Sequence, residues 1–160
     1  MPSGKIDWKS LLARNSKKES GFQRVPAGGT VSGLVVSVGV IGGGGIPDSV
    51  LNFVRGLGGM AEAAYRLSHD EFSLVWSGER GAAAQQRLAR ISQELWDFQL
   101  GSLGDLAILF SWGGVEVEKE PLEEALALAS MRMQETRRGR MALMTREFRA
   151  ASAYPAALPS

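Results

Sequence analysis

Ser68-His69-Asp70-Glu71-Phe72 is a polar segment set between two apolar runs, residues 61–67 and 72–76. That pattern predicts a β-hairpin over about 62–76, with the pentad at its turn and Ser77-Gly78 closing it. On the N-terminal side, residues 34–41 are rich in β-branched side chains and read as a buried strand. Four glycines, 42–45, break it. A helix then starts at Pro47-Asp48-Ser49, with Val50, Leu51, Val54 and Leu57 as its apolar face, and Gly56, Gly58 and Gly59 end it early. On the C-terminal side, Leu88, Ile91, Leu95 and Phe98 recur at spacings of three and four, which predicts an amphipathic helix over 80–98. Residues 106–117 read as a strand region interrupted by Gly113-Gly114. The last helix starts at Pro121, presents Leu122, Ala125, Leu126, Ala129 and Met133, and stops at Gly139.

Residues 7–15 predict one more short helix, capped by Asp7, and residues 16–30 a polar connector. The order of elements gives an α/β sandwich, one sheet flanked by helices. The expected organisation is a basic N-terminal segment (1–28), a folded domain (29–140) and a flexible tail (141–160).

Of the 160 residues, 44% are hydrophobic and 22% charged, as in ordinary globular proteins. No cysteine is present, so disulfides, thiolate metal sites and cysteine nucleophiles are excluded. One histidine cannot build a multi-histidine zinc site. No apolar run approaches a membrane span and no signal peptide is evident, so a cytoplasmic location is expected. The net charge of +1 is unevenly spread: residues 1–24 and 132–149 each carry six basic and two acidic side chains. No aromatic side chains interleave with the arginines, so nucleic acid is not the expected partner.

Several stretches resemble, in order, the motifs of the GGDEF family, which makes cyclic di-GMP from two GTP. Asp70-Glu71-Phe72 matches the end of its signature, with Ser68-His69 where the family has Gly-Gly. The opening Asp7-Trp8-Lys9-Ser10-Leu11-Leu12-Ala13-Arg14-Asn15 resembles Asp-x-Leu-Thr-Gly-Leu-x-Asn-Arg, and Phe110-Ser111-Trp112-Gly113-Gly114-Val115 resembles the Ser-Ile-Gly-Val strand. Met131 to Met141 resembles the closing helix. The resemblance implies a nucleotide-cyclase-like sandwich whose central, mostly antiparallel sheet is flanked by helices.

It also implies what has been lost. Family members place metal-binding carboxylates on the first strand as Asp-x-Asp; the matching residues are Ser37-Val38-Gly39. Of the carboxylates in that set only Glu71 remains, a poor seat for Mg²⁺, which takes oxygen ligands. Glycines that allow close phosphate approach are replaced by Ser68 and His69, and the phosphate-facing Lys of the closing helix aligns with Thr136, although Arg140 remains. The product-binding Arg-x-x-Asp aligns with Gly59-Met60-Ala61-Glu62, which lacks the arginine.

Bland readings outweigh sharp ones elsewhere. The glycine run 42–45 lacks the Lys-Ser/Thr of a phosphate loop and reads as a turn. Adjacent Asp70 and Glu71 point to opposite faces of a strand and cannot act as an acid–base pair. His69 reads as an exposed turn residue, and one histidine with scattered serines gives no hydrolase triad. Trp96, off its helix stripe, and Met131, Met141 and Met144 are candidate interface residues. The expectation is a catalytically inactive regulatory or scaffolding domain that binds a protein partner, with homodimerisation as the inherited mode and no cofactor or metal. The alternative is a nucleotide sensor holding GTP or cyclic di-GMP through Glu71 and Arg140.

Overall fold

The computed structural model describes residues 21–41, 45–102 and 108–157. The elements run β1 (Thr30–Ile41), α1 (Asp48–Arg55), β2 (Ala63–Ser68), β3 (Glu71–Ser77), α2 (Ala82–Ser102), β4 (Leu109–Pro121) and α3 (Leu122–Ala157). The four strands form one antiparallel sheet in the order β2-β3-β1-β4. Each of β1-α1-β2 and β3-α2-β4 therefore joins two strands of the same direction with a third strand between them, the split βαβ arrangement.

Alternation along β1 sorts the core into two layers. Leu34, Val36, Val38 and Val40 pack with Val50, Leu51 and Val54 of α1 and Ile91 and Leu95 of α2. Val31 and Val35 pack on the opposite side with Leu122, Ala125, Leu126 and Ala129 of α3. The sheet is thus covered on both faces, which explains why β1 reads as a continuous apolar run. The expected α/β class with an antiparallel sheet between helices is what the chain adopts.

The glycines after α1 act as expected. Arg55 is its last residue, and Gly58 and Gly59 turn the chain at φ of 67° and 82°. Elsewhere the expectations need correcting. Gly113-Gly114 does not interrupt β4: Val38↔Trp112, Ser37↔Gly113 and Val36↔Gly114 keep one register. The irregularity falls between Val31 and Gly33 instead. Both glycines serve packing. A Cβ on Gly113 would lie 2.7 Å from backbone atoms of α3, and one on Gly114 would lie 3.2 Å from Leu88 of α2.

Gly139 does not end α3, which continues to Ala157 through part of the segment expected to be a tail. A Cβ at Gly139 would meet nothing, so this is an exposed mid-helix glycine. Its cost of about 1 kcal/mol relative to Ala is too small to halt a run of good helix formers. The supposed connector also contributes to the core: Phe22 is buried, its ring 4.7 Å from that of Phe72, and Gln23 N–H donates to Ala64 O at 2.7 Å. The helix expected over 7–15 and the glycines at 42–44 lie outside the described residues.

Candidate functional site

The β2–β3 turn is held by its own polar groups. Ser68 Oγ donates to Asp70 Oδ1 at 2.9 Å. Arg66 spans the turn from β2, with Nη2 donating to His69 O at 2.7 Å and its guanidinium 5.2 Å from the Phe72 ring centroid. Asp70 is therefore engaged on the turn itself, while Glu71 opens β3 opposite Gly39 of β1. The two adjacent carboxylates have separate surroundings, as strand alternation requires.

Glu71 meets the first strand. Ser37, fully buried in β1, donates its hydroxyl to Glu71 Oε2 at 2.8 Å. The hairpin signature and the strand position that resembles a metal-carboxylate site are thus brought together, yet what they form is a hydroxyl–carboxylate hydrogen bond. At Gly39, the other position of that pattern, the space is already filled: a Cβ there would lie 2.8 Å from Met133 Sδ and 3.1 Å from Ser111 Oγ. Ser111 Oγ in turn lies 3.2 Å from Met133 Sδ.

Small residues on two strands (Gly39 of β1, Ser111 and Gly113 of β4) let α3 descend onto the sheet and seat Met133 against them. Met133 is fully buried. Ser73 Oγ is buried with no hydrogen-bond partner. Its isolation shows a surface closed by packing at that point.

A divalent cation does not fit this junction. Mg²⁺ requires near-octahedral oxygen coordination, commonly with one or two carboxylates and several waters. Here one carboxylate is engaged by Ser37, and a thioether occupies the neighbouring position. Among the described residues no cluster of three or more His, Cys, Asp or Glu side chains converges as a metal site.

The remaining candidates are dispersed. Trp96 is 46% exposed and meets Trp112 edge to face, at 5.9 Å between centroids. Met131 is 58% exposed on the outer side of α3, while Met133, two residues on, points inward. Thr136 Oγ1 donates to Arg132 O at 3.0 Å, a local helix contact. The side chains of Arg140, Met141 and Met144 lie outside the described residues.

The structure adds a feature that no motif marked. A groove of about 570 Å³ runs between α1 and α2, lined by residues including Asn52, Phe53, Glu94, Asp97 and Phe98. Phe53 and Phe98 stack at 4.2 Å, and Glu94 accepts the Gly58 N–H at 2.7 Å. Nearby, Arg87 forms a paired contact with Glu79, both N···O distances being 2.6 Å, and donates to Gly58 O. The hydrogen bond from Arg87, helped by its charge and opposed by burial, holds the Glu79 carboxyl below its ordinary value. Helical periodicity revealed the inner faces of α1 and α2, but the groove depends on how the two helices sit side by side.

No helix among the described residues is long and apolar enough to cross a membrane. Comparison with protein-family models, with curated proteins and with solved structures finds no match.

Proposed function

We propose that the chain is a catalytically inactive GGDEF-like domain that works as a regulatory or scaffolding protein through protein–protein contacts. One observation carries this reading: Ser37 and Glu71 meet where the resemblance expects metal carboxylates, and what they form is an internal hydrogen bond at 2.8 Å, with one carboxylate in place of several. Nucleotidyl transfer from a triphosphate relies on metal ions to offset phosphate charge and activate the attacking hydroxyl. With Gly39 packed beneath Met133 and Asp70 turned to Ser68, the junction offers no such charge balance. Loss of catalysis with retention of a well-packed sheet suits a domain kept for its surfaces.

The decisive assay incubates the purified chain with GTP and Mg²⁺ or Mn²⁺ and follows cyclic di-GMP by chromatography. No product is expected. Turnover that disappears in Glu71→Ala would overturn the reading. Calorimetry with GTP, GDP and cyclic di-GMP separates the scaffold from a nucleotide sensor, since micromolar binding of any of them would favour the sensor.

A further inference from the structure

β4 ends the strand order, so one edge lies along β1 and the other faces no strand among the described residues. Val40 N–H donates to Asp70 O at 2.9 Å, so even-numbered residues of β1 turn their backbone groups to β3 and odd-numbered ones to β4. Through the pairs Ser37↔Gly113 and Val35↔Val115, odd residues of β4 face β1. Gly114 and Glu116 therefore direct N–H and C=O outward. Nearer the start of the strand α2 caps the edge, where Phe110 N–H donates to Gln99 Oε1 at 2.6 Å.

Edges of this length are normally blunted, because they template pairing with another chain. β4 spans 13 residues, and its edge from Gly114 onward lies beyond that cap. Exposed apolar side chains lie near it: Trp96 on the α2 side, against Trp112 of β4, and Leu128, 43% exposed and one helical turn before the Arg132 that lies against Gly113, on the α3 side. A cleft of about 330 Å³ opens along its middle, lined by Gln85, Leu88, Gly114, Glu116 and Arg132 among others.

We propose that this edge pairs antiparallel with β4 of a second copy of the chain, joining two sheets into one of eight strands. Charge selects the partner and the direction. Residues 122–131 of α3 carry Glu123 and Glu124 and no basic residue, whereas residues 132–141 carry four arginines and one glutamate. α3 runs back along β4, since Leu122 follows the strand's last residue while Arg132 and Met133 lie against Gly113. A two-fold axis through the middle of the edge therefore sets the acidic half of each α3 beside the basic half of the other. Parallel pairing would place like beside like. Such an interface is self-complementary, as a two-fold dimer requires. It stands whether or not the chain turns over nucleotide.

Sedimentation equilibrium of the full chain over a concentration series tests this. A species of twice the 17.2 kDa chain mass is expected. Glu123→Lys with Glu124→Lys, and separately Arg137→Glu with Arg138→Glu, should each weaken self-association at least about tenfold. Mixing the two variants should restore a dimer, because the altered acidic half then meets an altered basic half. The chain has no cysteine, so Leu128→Cys should be linked into dimers by a short bis-maleimide, while Met60→Cys, on the loop after α1, should not. A monomer at every concentration overturns the proposal. So does a dimer that ignores both charge reversals, or cross-linking that is equal at the two cysteine positions.

Discussion

Adjacent glycines on β4 provide an internally controlled measurement of how tightly α3 is seated over the Ser37–Glu71 junction. Gly113→Ala places a methyl 2.7 Å from the Arg132 carbonyl carbon, the Arg132 Cβ and the Met133 nitrogen, all rigid parts of α3. The helix must move outward by roughly a van der Waals overlap, and overpacking of this kind costs about 1–3 kcal/mol. Gly114→Ala points to the other face, where the nearest atoms are the Leu88 methyls at 3.2 and 3.4 Å. Those methyls can rotate away, so little or no cost is expected there. Both substitutions remove a similar amount of unfolded-chain freedom, about 0.4–1 kcal/mol, which cancels in the comparison. Urea unfolding followed by circular dichroism should therefore rank Gly113→Ala the less stable by about 1–3 kcal/mol. In a chain of this size that corresponds to a fall in Tm of about 3–10 °C. Equal stabilities, or Gly114→Ala as the weaker variant, would refute the close seating of α3 on which the closed junction depends.

Two other side-chain contacts, Ser37 with Glu71 and Arg87 with Glu79, give further outcomes. Ser37→Asp sets a second carboxylate in a fully buried position beside Glu71 and should cost about 3 kcal/mol through like charge and desolvation. Thermal melts with millimolar Mn²⁺ should not recover that loss, and a Mn²⁺-dependent return to wild-type Tm would show that the junction can hold a cation after all. Arg87 depresses the Glu79 pKa, so this pair contributes stability above the ordinary carboxyl value of 4.5 and loses it as pH falls through the lower folded value. Unfolding free energies measured from pH 6 down to pH 3 should fall more steeply in the wild type than in Glu79→Gln, and parallel curves would sink the assignment.

The hairpin, the inner faces of α1 and α2 and the break after α1 were legible in the chain because each is set by neighbours in sequence: alternation, spacing of three and four, and glycines at 58 and 59. The candidate site was legible only as residue types. That Ser37 and Glu71 share a hydrogen bond follows from the pairing of β1 with β3, whose register joins segments 34 residues apart. No local pattern carries that information. The same limit explains the misread glycines: residues 113 and 139 look alike as chain breakers, yet one is required by a helix packed against it and the other faces open space.

Local physics in the amino-acid sequence determined where strands and helices form, since propensity and periodicity act over a few residues. Tertiary structure alone decided that α3 crosses the sheet at Gly113, that Met133 fills the space beside Gly39, and that β4 is left at the edge. Those outcomes rest on close packing between distant segments, where a single methyl group is felt.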